Sequence, residues 1–108
     1  MAEGISVFFP AFNDEGSIVG LVGDALAVLP TLADDYEVIV VNDGSTDRTG
    51  AVADELATRY PWVSVVHHEA NLGVGAAFYD GLRFARFPHL CLIPGDNRLA
   101  SLPRRISA

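Results

Sequence analysis

Polar residues suited to holding a ligand fall in four clusters, each just after a short apolar run. These are Asn13-Asp14-Glu15, Asn42-Asp43, Asn71 and Asp96-Asn97. An ionised carboxylate only accepts hydrogen bonds, so Asp43 suits the N–H of a uracil or guanine, or a sugar hydroxyl. The stretch Asp43-Gly44-Ser45-Thr46-Asp47 equally makes a turn and a helix start, with glycine supplying a positive φ and Ser45 or Thr46 the N-cap oxygen. Asp96, beside Gly95, is either a turn residue or a ligand for a hard divalent cation. Such an ion needs one or two carboxylates and completes its shell with phosphate oxygens and water.

Asn71-x-Gly73-x-Gly75-Ala76 opens a helical stretch. It brings backbone N–H groups toward a ligand, or lets Gly75 and Ala76 pack closely on a sheet. The run lacks the GxGxxG spacing of a dinucleotide fingerprint and the lysine of a phosphate-binding loop, which disfavours a nicotinamide-dependent dehydrogenase. His67-His68-Glu69 has the composition of a metal site. Successive strand residues point to opposite faces, however, so the two imidazoles do not converge on one ion. Ser45 has no histidine placed to activate it, and Cys91 reads as a buried, inert thiol.

The elements that must position these residues alternate along the chain. Apolar, β-branched runs predict strands at residues 5–9, 37–41, 62–67 and 90–93. The first is expected to end at Pro10. Between them, apolar residues recur with the 3.6-residue period of a helix. The first helix, from about Ser17 to Leu29, presents Ile18, Leu21, Val22, Ala25, Leu26 and Leu29 and stops at Pro30. The second presents Val52, Ala53, Leu56 and Tyr60, and the third Val74, Ala77, Phe78, Gly81, Leu82 and Ala85. This β-α-β-α-β-α-β order predicts a Rossmann-like, three-layer α/β/α fold around a four-strand parallel sheet with right-handed crossovers. Ligands of such sheets sit beyond the carboxyl ends of the strands, where all four polar clusters fall.

A chain of 108 residues holds one domain. Its net charge of −7 argues against nucleic acid as a partner, since phosphate neutralisation needs clustered Lys and Arg. One cysteine excludes an internal disulfide and fits a reducing, cytoplasmic setting. No run approaches the ~20 apolar residues that span a bilayer, and Met1–Gly4 lacks the pattern of a signal peptide.

Together these residues resemble the N-terminal, nucleotide-sugar-binding half of family-2 glycosyltransferases of the dolichyl-phosphate mannose synthase type. Val7-Phe8-Phe9-Pro10-Ala11-Phe12-Asn13-Asp14-Glu15 is similar to that family's first motif, Glu37 through Asp47 to its second, and Asn71 through Ala77 to its third. The resemblance implies a partial GT-A fold with strand order 3-2-1-4. It also implies a reaction in which a UDP- or GDP-sugar gives its sugar to an acceptor such as a polyprenyl phosphate or glycan. Pro10, Phe12, Asp14, Asp43, Asn71 and Gly73 are then expected to hold the nucleotide. Asp96 would face the diphosphate through Mg2+ or Mn2+. The family's fourth motif is Asp-x-Asp, commonly with a later Gln. Here Pro94 stands at the first acid position and Arg98 at the Gln position, where it would pair with phosphate.

The family's acceptor site and catalytic base belong to a following half, so the chain is expected to be truncated, and no residue in it is nominated as general base. The alternative is a non-catalytic nucleotide-binding or assembly module of the same fold. Strand order 3-2-1-4 also puts the fourth strand at a sheet edge. With no lysine or internal proline to blunt it, that edge is expected to pair with a second copy as a homodimer.

Overall fold

The computed structural model describes residues 4–92. Along it run β1 (Ile5–Ala11), α1 (Ile18–Val28), β2 (Tyr36–Asp43), α2 (Thr49–Arg59), β3 (Val63–His68), α3 (Val74–Phe84) and β4 (His89–Leu92). A 3-10 turn over Leu29–Thr31 follows α1. The strands form one four-stranded sheet in the order β3-β2-β1-β4, and every pairing is parallel. Architecture and strand order agree with the expectation.

Alternation along β1 and β2 divides the core into two layers. Ile5, Val7, Phe9 and Ala11 of β1, with Val38 and Val40 of β2, pack against Ile18, Leu21, Val22 and Ala25 of α1 and Ala53 and Leu56 of α2. Phe8, Ile39 and Val41 face the other way. There α3 comes down on β1 at Gly81, where an added Cβ would stand 2.6 Å from the Phe8 ring. Only glycine permits that approach. Strands buried on both faces need near-continuous apolar sequence, and β1 and β2 have it. Each large aliphatic or aromatic side chain fully buried this way contributes about 1.5–3 kcal/mol.

At the amino end of the sheet, the buried Glu37 carboxylate accepts three hydrogen bonds. Ser6 Oγ donates to it at 2.7 Å, the Arg86 amide at 2.6 Å and Arg86 Nε at 3.3 Å. The Phe87 amide donates in turn to Ser6 Oγ at 3.2 Å. A buried charge is tolerated when its acceptor sites are filled like this. The cluster anchors the turn between α3 and β4 at the end of the sheet opposite the polar clusters.

Several boundaries differ from the sequence expectation. β1 continues through Pro10 to Ala11. Pro10 pairs with Val41 and Ala11 with Asn42 of β2. Pro30 lies in the first turn of the 3-10 segment, where no N–H is needed. β3 is shifted by one residue, to Val63–His68, and β4 starts one residue early, at His89.

α2 starts at Thr49, later than a Ser45 or Thr46 cap implies, because those two residues bond elsewhere; Asp47 Oδ1 receives the Thr49 amide at 2.8 Å instead. Leu82, expected on the sheet-facing side of α3, is 54% exposed. Gly75, read as a packing residue, has no atom within 4 Å of where its Cβ would be. The close approach is made one helical stretch later, at Gly81. Ile93, Pro94, Asp96, Asn97 and Arg98 lie outside the described residues. No described helix is long and apolar enough to cross a membrane.

Candidate functional site

Three loops meet at the carboxyl edge of the sheet: residues 12–17 after β1, 44–48 after β2 and 69–73 after β3. Asn13 joins the first two. It takes a left-handed conformation with φ 52°, which asparagine tolerates better than most residues. Its Oδ1 accepts the Thr46 amide at 2.8 Å, Thr46 Oγ1 at 3.3 Å and the Asp47 amide at 3.4 Å. The seam continues on both sides. The Asn13 amide donates to Ser45 Oγ at 3.0 Å and the Asp14 amide to Thr49 Oγ1 at 2.8 Å. Glu15 Oε1 accepts the Arg48 amide at 3.4 Å, and the Glu15 amide donates to Asp47 Oδ2 at 3.4 Å. The Thr49 hydroxyl, and after it the Thr49 and Glu15 amides, hold the Asp47 carboxyl below the usual range, against the effect of desolvation.

Gly44 joins the second loop to the third. Its φ is 74°, and an added Cβ would stand 2.3 Å from the Ala70 carbonyl carbon and 2.4 Å from the Asn71 nitrogen. Directly below, Asp43 fastens the third loop. Its Oδ1 accepts the Leu72 amide at 2.8 Å, and its Oδ2 accepts the Gly73 amide at 2.9 Å. Gly73 itself has φ 92° and open space where a Cβ would be, so it is needed for backbone conformation rather than room.

The third partner of Asp43 is His68, directly opposite it in the β2–β3 register. His68 Nδ1 lies 2.8 Å from Asp43 Oδ1, and its Nε2 meets Asp80 Oδ2 on α3. Burial works to raise the Asp43 pKa but is outweighed by His68 and by the Leu72 and Gly73 amides, so the carboxyl lies below its ordinary range. The same contacts with Asp43 and then Asp80 push the His68 pKa up, against burial. His67 points to the opposite face. Its Nδ1 accepts from Asn42 Nδ2 at 3.0 Å and its Nε2 faces Asp54 Oδ1 at 2.8 Å. The two imidazoles diverge as strand alternation requires.

The described residues that the sequence singled out therefore share one edge. Phe12 presents a ring that is 44% exposed, and Pro10 lies half-buried beneath the loop. Asp14 Oδ2 accepts the Phe12 amide at 2.9 Å, while its other oxygen has no protein hydrogen bond among the described residues. Asn71 is exposed above Asp43, which is itself 5% exposed. Ser45 Oγ is an acceptor in the loop seam, as befits a residue with no activating base. Asp96 and Arg98 fall outside the described residues.

Sequence reasoning placed Asn13 at the site without its role in joining the loops, and missed His68 and Asp80 as organisers. Strand alternation together with the β2–β3 pairing would have put His68 beside Asp43. Nothing in the spacing marked Asp80.

A parallel α/β sheet with interlocked loops at its carboxyl edge belongs to the class of nucleotide-binding folds. The model of "Glycosyl transferase family 2" matches residues 6–100, and the chain belongs to that family. It is 38% identical over 76 residues to polyprenol monophosphomannose synthase of Mycolicibacterium smegmatis, covering 69% of this chain and 27% of that one.

Among solved structures, Staphylococcus aureus TarS 1-349 in complex with UDP-GlcNAc superposes with a TM-score of 0.71 at 28% identity, over 86% of this chain and 26% of that one. Glucosyl-3-phosphoglycerate synthase of Mycobacterium tuberculosis, in complex with Mn2+, UDP and phosphoglyceric acid, superposes at 0.68 with 28% identity, over 88% of this chain and 34% of that one. The chain spans 27–30% of the length of the first curated relatives it matches.

Proposed function

We propose that this chain is the donor-binding part of a glycosyltransferase that moves a sugar from UDP- or GDP-sugar to an acceptor such as a polyprenyl phosphate or a glycan. The observation that carries this reading is the interlocking of three loops over Asp43 at the carboxyl edge of the sheet, in a chain of this family. Phe12 offers its exposed ring to the base. Pro10 and Asp14 shape the loop beneath it, and Asn71 and Gly73 line the facing loop.

Asp43 has two duties. One oxygen is filled by His68 and the Leu72 amide. The other accepts the Gly73 amide and keeps one lone-pair position for a base N–H or a ribose hydroxyl. A bound divalent cation, Mg2+ or Mn2+, would stabilise charge on the leaving diphosphate. Asp96 is the residue proposed to face it and Arg98 the one to pair with phosphate; the Mn2+ and UDP bound by the mycobacterial synthase support a divalent cation in such a site. We place the reaction in the cytoplasm, in keeping with the single free thiol of Cys91.

Titration calorimetry with UDP, GDP and their sugar conjugates, with and without Mn2+, tests the reading. Saturable binding of one nucleotide, tightened by Mn2+, is expected. Absence of binding by every nucleotide to folded chain would overturn it. Pairing of two copies through the β4 edge belongs to the same proposal. Sedimentation equilibrium would show a dimer, and a monomer at high concentration would reject the pairing.

A further inference from the structure

We infer that His68 is a positioning residue that acts as an imidazolium, tying α3 to the end of β2 and making nucleotide affinity depend on one proton. The inference rests on the donor-site reading of Asp43 and Gly73. Its basis is geometric. Both ring nitrogens of His68 face carboxylate oxygens, Nδ1 that of Asp43 at 2.8 Å and Nε2 that of Asp80. A carboxylate has no proton to give, so both contacts are hydrogen bonds only when both nitrogens carry hydrogen. A neutral ring donates to one partner and turns a lone pair on the other.

Asp43 and Asp80 are the charged groups that face the ring among the described residues, one from β2 and one from α3. His67, its neighbour, is turned away onto Asp54. The His68 side chain is 8% exposed and that of Asp43 7%, so water does not readily replace a lost partner. The Asp80 side chain, 15% exposed, has no other hydrogen-bond partner among the described residues. The raised His68 pKa agrees with the doubly protonated ring.

The consequence reaches the ligand by two routes. With the imidazolium in place, two carboxylates and one cation leave a single negative charge beneath the loop. Deprotonation leaves two, beneath the base or ribose of a ligand whose diphosphate carries the same sign. It also frees one end of the tether, so α3, which begins at Val74 just after the Leu72–Gly73 amides, loses part of what fixes it to the end of β2. The proton thus sets both the local field and the placement of the loop.

The test has two arms. UDP and GDP affinities are measured calorimetrically from about pH 6 to about pH 9, for the full chain and for His68→Gln and Asp80→Asn. Affinity in the parent chain should fall about ten-fold as His68 loses its proton, a size expected for one added charge at short range. His68→Gln should lack this fall, which also separates it from titration of the nucleotide. Asp80→Asn, whose side chain can accept or donate, should move the midpoint to lower pH.

Nitrogen NMR of the His68 ring without ligand is the second arm. Two protonated nitrogens at about pH 6, and slowed exchange of the Leu72 and Gly73 amides that is lost as the ring titrates, are expected. A singly protonated ring at that pH, or an unchanged pH profile in His68→Gln, overturns the inference. If neither nucleotide binds at any pH, the donor-site reading falls, and the NMR arm alone upholds or rejects the tether.

Discussion

The side-chain oxygen of Asn13 accepts the backbone amide of Thr46 at 2.8 Å, bridging 33 positions of sequence. One short side chain thereby sets the loop after β1 against the loop after β2. Replacing Asn13 with Gly keeps the left-handed backbone at no steric cost but removes the acceptor. Asn13→Gly should lower stability by about 1–2 kcal/mol in urea unfolding and weaken nucleotide binding in parallel. Unaltered stability would mean that water replaces the Asn13 oxygen freely.

Gly44→Ala is expected to be far more damaging. The new methyl would lie 2.3 Å from backbone of Ala70, at a φ of 74°, and backbone cannot swing aside as a flexible side chain can. A loss of more than about 3 kcal/mol is expected from strain and displaced loops together. Thermal unfolding by circular dichroism reads it directly.

Phe12→Ala separates binding from folding. The ring is 44% exposed, so its removal should change stability by no more than about 0.5 kcal/mol. If it stacks on the base, nucleotide affinity should fall by about 1–3 kcal/mol. Calorimetry that shows equal affinity in the variant removes Phe12 from the site.

Asp43→Ala should cost about 1–3 kcal/mol of nucleotide affinity for the lost acceptor. It should also destabilise the fold, since His68 and the Leu72 and Gly73 amides lose their partner together. Adding saturating nucleotide should therefore raise the melting temperature of the parent more than that of the variant. Unchanged affinity in folded Asp43→Ala would reject its role toward the ligand.

Stability should peak on the acid side of neutrality. The His68 pKa is raised on folding, so its contribution is complete below about pH 6.5 and is lost as pH rises through the folded-state value. The Asp43 pKa is lowered, so its contribution is complete above about pH 3.9 and is lost as pH falls through the folded-state value. Urea midpoints across pH should fall on both sides of that window. His68→Gln should flatten the alkaline limb, and a persistent limb would assign it to another group.

The sheet was legible because its central strands, Ile5–Ala11 and Tyr36–Asp43, are buried on both faces and so carry near-continuous apolar runs. The gathering of the described polar loops at one edge was legible for a related reason: strand-end polarity in a parallel sheet has one place to go. The start of α2 was not. Local chemistry offered Ser45 and Thr46 as caps, but long-range bonds to Asn13 took them, and no local pattern reports such a bond. The partnership of His68 with Asp80 was hidden likewise, since it depends on how α3 sits over β3. Leu82 was misplaced because a 3.6-residue period fixes which residues share a face but not which way that face is turned. Gly81, against Phe8, set the rotation.

The bonds between the first two loops join residues 32 to 35 positions apart. None can close until β1 and β2 have paired, so loop-closure entropy is met first by the strands and only then returned at the loops. A refolding chain should regain helical signal before it regains the capacity to capture nucleotide. Nucleotide present during refolding should then leave the early phase untouched while slowing unfolding. That kinetic asymmetry follows from Asn13 lying one strand and one helix away from the residues it holds.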